Sequence, residues 1–187
     1  MSEYSDASSE SSDEPQPKVI GVILFDGFET LDVYGPLGLL TSPASLAPYT
    51  AVMIGPPNSQ MNTVLSSSGL PTPFSRRLQW PYQEKFDVLL IPGGFENQPL
   101  LQDHDYLILL RQVANHVIET GGMIFCVCTG SILLAAAGVL CGHEATTNKA
   151  AFDKLTPEYD EVHWIKRARW VHDHDIITSS GITAGMV

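Results

Sequence analysis

Apolar runs alternate with helix-spaced and small-residue stretches along most of this chain, which predicts strands alternating with helices. Val19-Ile20-Gly21-Val22-Ile23-Leu24-Phe25 is nearly continuous in apolar residues, the pattern of a strand buried on both faces of a parallel sheet. Asp26-Gly27 ends it, and Thr30 to Leu40 reads as a short helix containing Pro36. Thr50 to Ile54 predicts a second strand, closed by Gly55-Pro56-Pro57, and residues 58–80 read as hairpins or loops. Phe86 to Ile91 is a third buried strand, ended by Pro92-Gly93-Gly94. Residues 103–119 carry Leu107, Leu110, Val113, Ala114, Val117 and Ile118 at helical spacing, with Gly121-Gly122 as the stop signal. Met123 to Val127 is again a buried strand, and Thr129 to Ala137 is small, apolar and helical. Trp164, Ala168 to Val171 and Ile176-Ile177 predict short strands near the end, with His172-Asp173-His174-Asp175 at the turn between the last two. The implied fold class is α/β: a doubly wound, mostly parallel, flavodoxin-like sheet flanked by helices.

Residues 1–17 break the pattern. They hold six serines, five acids and two prolines, too little apolar area to offset the entropy of ordering, so a disordered acidic tail is expected before a domain over 18–187. The whole chain of 187 residues has room for one domain with a sizeable core. A net charge of −11 argues against nucleic acid or an anionic membrane as partner. No apolar run is long enough to span a bilayer, and no signal peptide is visible. Three cysteines at irregular spacing do not form a disulfide framework, which points to a reducing, cytoplasmic setting.

The chemistry concentrates at Gly122-Met123-Ile124-Phe125-Cys126-Val127-Cys128-Thr129-Gly130-Ser131. A buried strand runs into a helix with Cys128 at the junction, where open α/β sheets receive their ligands. The helix N-terminus favours negative charge there, so the thiol is expected to ionise below the ordinary value of ~8.5. Free cysteine is also among the most buried residue types, and an inert buried Cys128 is the competing reading. Cys126, two residues earlier on the strand, reads as core. Asp32 reads either as a first-turn helix acid or as an acidic partner for the thiol, and Gly93-Gly94 either as an ordinary turn or as a binding turn.

Four motifs in order then carry a resemblance: Phe25 to Pro36, Ile91-Pro92-Gly93-Gly94, Val127-Cys128-Thr129-Gly130-Ser131, and Ala145-Thr146-Thr147 with the later Gly181-Ile182-Thr183-Ala184-Gly185. Together with Ser67-Ser68-Gly69-Leu70 they make residues 18–187 resemble the ThiJ/PfpI superfamily, class I amidotransferase-like proteins, and within it the isonitrile hydratases. The resemblance implies that Cys128 is the nucleophile and Asp32 its proton partner. It also implies that the amides of Gly94 and Thr129, with Gly93 and Ile182, bind the reacting group. The substrate would be a small molecule, needing no cofactor and no metal. The implied reaction hydrates an isonitrile to an N-substituted formamide through a thioimidate. The alternatives are glyoxalase- or deglycase-like action on 2-oxoaldehydes, or a non-enzymatic redox-sensing module. Asn148 stands where relatives commonly carry histidine, so a proton-transfer role there would be lost. The family pattern continues into a long helix after Ala184-Gly185, where this sequence has only Met186-Val187. We therefore expect a domain truncated at that end, with an apolar sheet face covered in a homodimer or left open. The His172 to Asp175 run reads as a solvated turn rather than a metal site, Lys166 to Arg169 as a solvated face, and Cys141 as packing.

Overall fold

The computed structural model describes residues 18–42, 49–82 and 84–186; the acidic stretch 1–17 lies outside them. The strands are β1 (Lys18–Ile23), β2 (Tyr49–Gly55), β3 (Thr63–Leu65), β4 (Pro71–Pro73), β5 (Arg76–Arg77), β6 (Val88–Ile91), β7 (Met123–Val127), β8 (Glu144–Ala145), β9 (His163–Trp164), β10 (Trp170–Asp173) and β11 (Ile176–Ser179). The helices are α1 (Thr30–Leu40), α2 (His104–Glu119), α3 (Gly130–Ala136) and α4 (Phe152–Leu155), with 3-10 segments at Phe95–Gln102, Thr156–Glu158 and Ile182–Met186.

One sheet of seven strands, in the order β10-β11-β7-β6-β1-β2-β5, forms the centre. Every pairing in it is parallel except β10 with β11. The apolar runs become its middle: Ile20, Val22, Ile23, Leu89, Leu90, Ile91, Ile124 and Val127 are all buried. Residues 58–80, which lack a period, contain the β3–β4 hairpin and the short edge strand β5. That hairpin is bridged to the β1–α1 turn through Phe28 and Ser66.

The longest helix, α2, shows why the helical period matters. Asp103 caps it by accepting from the Tyr106 amide at 3.0 Å, and Tyr106, Leu107, Leu110, Val113, Ala114 and Val117 form its buried stripe. Truncating one of its leucines to Ala would cost about 2–5 kcal/mol.

Among the described residues, one sheet face stays partly open. Val88, Met123, Phe125 and Ile177 line a groove of about 400 Å³ with Leu40, Trp170, His172 and Ala184. Its lining is mostly apolar, and Trp170 is well exposed.

Candidate active site

From β1 the chain moves outward to β2 on one side, and β6 later returns to β1 on the other. The crevice between the carboxyl ends of β1 and β6 is therefore a topological switch point, where such sheets hold ligands. The first turn of α1 brings Asp32 to it, the turn after β6 brings Gly93-Gly94, and Cys128 follows the end of β7 beside them.

Cys128 adopts φ 56°, a left-handed conformation that costs an L-residue about 1–2 kcal/mol. Three bonds hold it there. Its amide donates to the Ser179 carbonyl at 3.0 Å, and its carbonyl accepts from Ser131 Oγ at 3.2 Å and Thr147 Oγ1 at 3.1 Å. Ser131 thus braces the elbow. Close packing against the β6 turn requires glycine at two places. A Cβ on Gly93 would lie 2.6 Å from the Thr129 nitrogen and 2.7 Å from Cys128 Cβ, and one on Gly130 would lie 2.4 Å from the Ile91 carbonyl oxygen.

Asp32 is fully buried. Its Oδ2 accepts from the Gly93 amide at 2.9 Å, while Oδ1 has no hydrogen-bond partner among the described residues. Burial pushes this carboxyl up from 3.8 to about 7; the Gly93 amide and the thiol pull against that shift, and the Glu29 charge adds to it. A carboxyl raised this far can take up and release a proton near neutral pH.

The thiol does not behave as its position at a helix start suggests. Cys128 is 6% exposed, and α3 has only seven residues. Burial, then the nearby Asp32 charge, pushes the thiol up to about 11, against donation from Asn148 and the Thr129 amide. Desolvation thus favours a protonated thiol beside a carboxyl that burial also raises.

The other expected residues divide. Gly93 donates to Asp32. The Gly94 amide donates to Thr129 Oγ1 at 3.0 Å, so that side chain already engages it. The Thr129 amide lies at the thiol. Ile182 begins the 3-10 segment after Gly181, and a Cβ on Gly181 would lie 3.5 Å from Asn148 Nδ2, so this turn borders the site. Asn148 donates from Nδ2 to Cys128 Sγ at 3.1 Å. Buried Asn97, which no pattern in the sequence marked, reaches Thr129 Oγ1 and its carbonyl at 3.4 Å; a cavity of about 200 Å³ opens beside these two residues and Gly94.

Cys126 is fully buried, and burial raises its thiol far above the ordinary range. Cys141 is exposed, contrary to the packing role expected of it. His143 pairs with Asp173 at 3.0 Å, and no metal-holding cluster of His, Cys, Asp and Glu exists among the described residues. No helix among them is long and apolar enough to cross a membrane.

Comparison with known proteins agrees with this fold. The DJ-1/PfpI family model matches residues 18–187. The chain is 34% identical over 168 residues to an isonitrile hydratase of Pseudomonas putida, covering 89% of this chain and 67% of that one. Among solved structures, Drosophila melanogaster DJ-1beta superposes with a TM-score of 0.74 at 22% identity, covering 91% of this chain and 85% of the other. A ThiJ/PfpI family protein from Pseudomonas syringae does so with a TM-score of 0.70 at 23% identity, covering 98% and 72%.

Proposed function

This chain belongs to the DJ-1/PfpI family, and from that premise we propose that it is a cysteine-dependent hydratase converting isonitriles to N-substituted formamides. The observation that carries the proposal is the buried Asp32 carboxyl, raised to about 7, next to a thiol held on a strained elbow. The similarity to the Pseudomonas putida isonitrile hydratase supplies the substrate class.

The active pair holds one proton in total, whichever partner carries it. Sulfur attacks the terminal carbon of R–N≡C and forms the S–C bond. Asp32 takes the thiol proton and delivers it to the same carbon, giving the thioimidate R–N=CH–S–Cys128. Water then adds to that carbon, and Asp32 passes one of its protons to nitrogen. Collapse of the adduct expels sulfur, which recovers a proton from the hydroxyl, and R–NH–CHO leaves. Atoms and charge balance with water as the sole co-reactant, so the step calls for neither metal nor organic cofactor. The Thr129 amide and Asn148 face the charge that develops at sulfur, and Gly94 joins them only by releasing Thr129 Oγ1.

A thiol raised by burial supports this reading over a redox sensor, which needs an exposed, easily ionised thiol. Three free cysteines suit a reducing compartment, and the cytoplasm is the proposed location. A homodimer is the proposed assembly, supported by the open apolar groove and checked by mass in solution. The deciding experiment presents wild type and Cys128→Ala with a panel of isonitriles and 2-oxoaldehydes. Formamide release by wild type alone supports the proposal. Turnover of 2-oxoaldehydes without isonitrile hydration overturns it in favour of a glyoxalase-like activity.

A further inference from the structure

The residue at position 148 is chemically unlike a proton carrier, yet its side chain touches the reacting sulfur. We propose that the Asn148 amide is a catalytic donor that holds negative charge on the Cys128 sulfur without itself titrating. This rests on the reading of Cys128 as the nucleophile.

The orientation of the amide is fixed by its other end. Asn148 Oδ1 accepts from the backbone amides of Ala150 at 2.9 Å and Ala151 at 3.3 Å. Only the oxygen of a carboxamide accepts such bonds, so Nδ2 is the edge presented to Sγ at 3.1 Å. The two backbone amides therefore aim the donor before any substrate arrives. A Cβ at Gly181 would lie 3.5 Å from Nδ2, so this turn borders the amide.

The surroundings make this donor matter. The charged groups acting on Cys128 are Asp32 from α1 and Glu29 just before it, both acidic and both opposing a thiolate. Two donors act the other way, the Thr129 amide and Asn148, and of these Asn148 alone is a side chain. A hydrogen bond to an ionised acceptor is roughly twice as strong as one between neutral groups, so the bond tightens as sulfur gains charge. The amide neither takes up nor loses a proton across the working range, which leaves all proton traffic to Asp32.

The test uses the full chain with Asn148→Asp and Asn148→Ala. Asn148→Asp is nearly isosteric and keeps an oxygen for the Ala150 and Ala151 amides, but it places a carboxylate against sulfur. Iodoacetamide alkylation of Cys128 is followed by peptide mass spectrometry at about pH 8, well below the thiol midpoint, where the rate tracks the thiolate fraction. Cys141 serves as internal control, and melting temperature reports the fold. Asn148→Ala should raise the midpoint by about one pH unit, seen as about tenfold slower alkylation. Asn148→Asp should slow it at least as much with the melting temperature kept. A structural role alone would lower the melting temperature of Asn148→Ala and leave both rates unchanged. Wild-type alkylation of Cys128 in Asn148→Asp overturns the proposal; should that variant not fold, an unchanged rate in Asn148→Ala does so. Failure of the isonitrile reading would look different: no formamide from wild type, with the alkylation effect intact.

Discussion

Replacing Asp32 by Asn should make the protein more stable above neutral pH while removing most of its turnover. The carboxyl is fully buried and shifted from 3.8 to about 7. That interval of about three pH units, at about 1.4 kcal/mol each, places the cost of the ionised form inside the fold at about 4 kcal/mol. The sign follows from proton linkage. Between about pH 4 and about pH 7 the folded chain keeps a proton that the unfolded chain has lost, so stability falls as pH rises through that window and is level above it. Asparagine has no such window. Its oxygen still accepts from the Gly93 amide, and its NH₂ stands where the protonated acid carries its OH. The stability difference between variant and wild type should therefore grow by up to about 4 kcal/mol from about pH 4 to about pH 8. Urea denaturation of both proteins in matched buffers across that range measures it, and the other titrating groups cancel in the difference. Turnover should fall ~10²–10⁴-fold in the same variant, with Asp32→Ala no better. A stability difference that is flat with pH would mean that Asp32 ionises normally inside the fold, and the proton-carrier reasoning would fail with it.

The same pair predicts that kcat/KM rises with pH through about 7 and that Asp32→Asn removes this acid limb; a wild-type profile level from about pH 5 to pH 9 would contradict it. Gly93→Ala should keep its far-ultraviolet circular dichroism but lose at least ~10²-fold in turnover, because the new methyl falls 2.7 Å from Cys128 Cβ; near-wild-type kinetics would show that the turn yields freely. In native protein at neutral pH, iodoacetamide should reach exposed Cys141 first, Cys128 only as pH rises, and Cys126 not at all, as read by peptide mass spectrometry. The groove beside Trp170 should bind an environment-sensitive apolar dye, and Phe125→Asp should abolish that signal; unchanged dye fluorescence would place the apolar surface elsewhere.

The sheet was legible because its central strands are almost wholly apolar. Val19 to Phe25 and Met123 to Val127 carry so little polarity that a parallel core strand is their natural reading, and both occupy the sheet's middle. The α2 helix was legible for the opposite reason: its apolar residues repeat at helical spacing and Gly121-Gly122 stops it. Residues 58–80 resisted, since β3, β4 and β5 have only three, three and two residues. A strand so short shows no alternation, and its pairing is fixed by neighbours such as Asp26, whose Oδ1 accepts from the Leu65 amide at 2.9 Å.

At the site, covalent neighbours were legible and electrostatics were not. A buried strand ending in Cys128-Thr129-Gly130 announces an elbow, because backbone and small residues dictate it locally. The thiol's proton affinity is a sum over residues far apart in sequence: burial by the turn after β6, the charges of Glu29 and Asp32, and the donor on Asn148. Reading only the local part, the start of α3, gives the wrong direction. The same holds for Asn97, whose contact with Thr129 spans 32 positions and leaves no local trace. A helix start offers only partial charges, whereas burial acts on the full charge of a thiolate. When the helix is seven residues long and the cysteine 6% exposed, burial is the larger effect. The elbow therefore supplies position, and in the proposed mechanism reactivity comes from Asp32 as the partner that accepts the thiol proton.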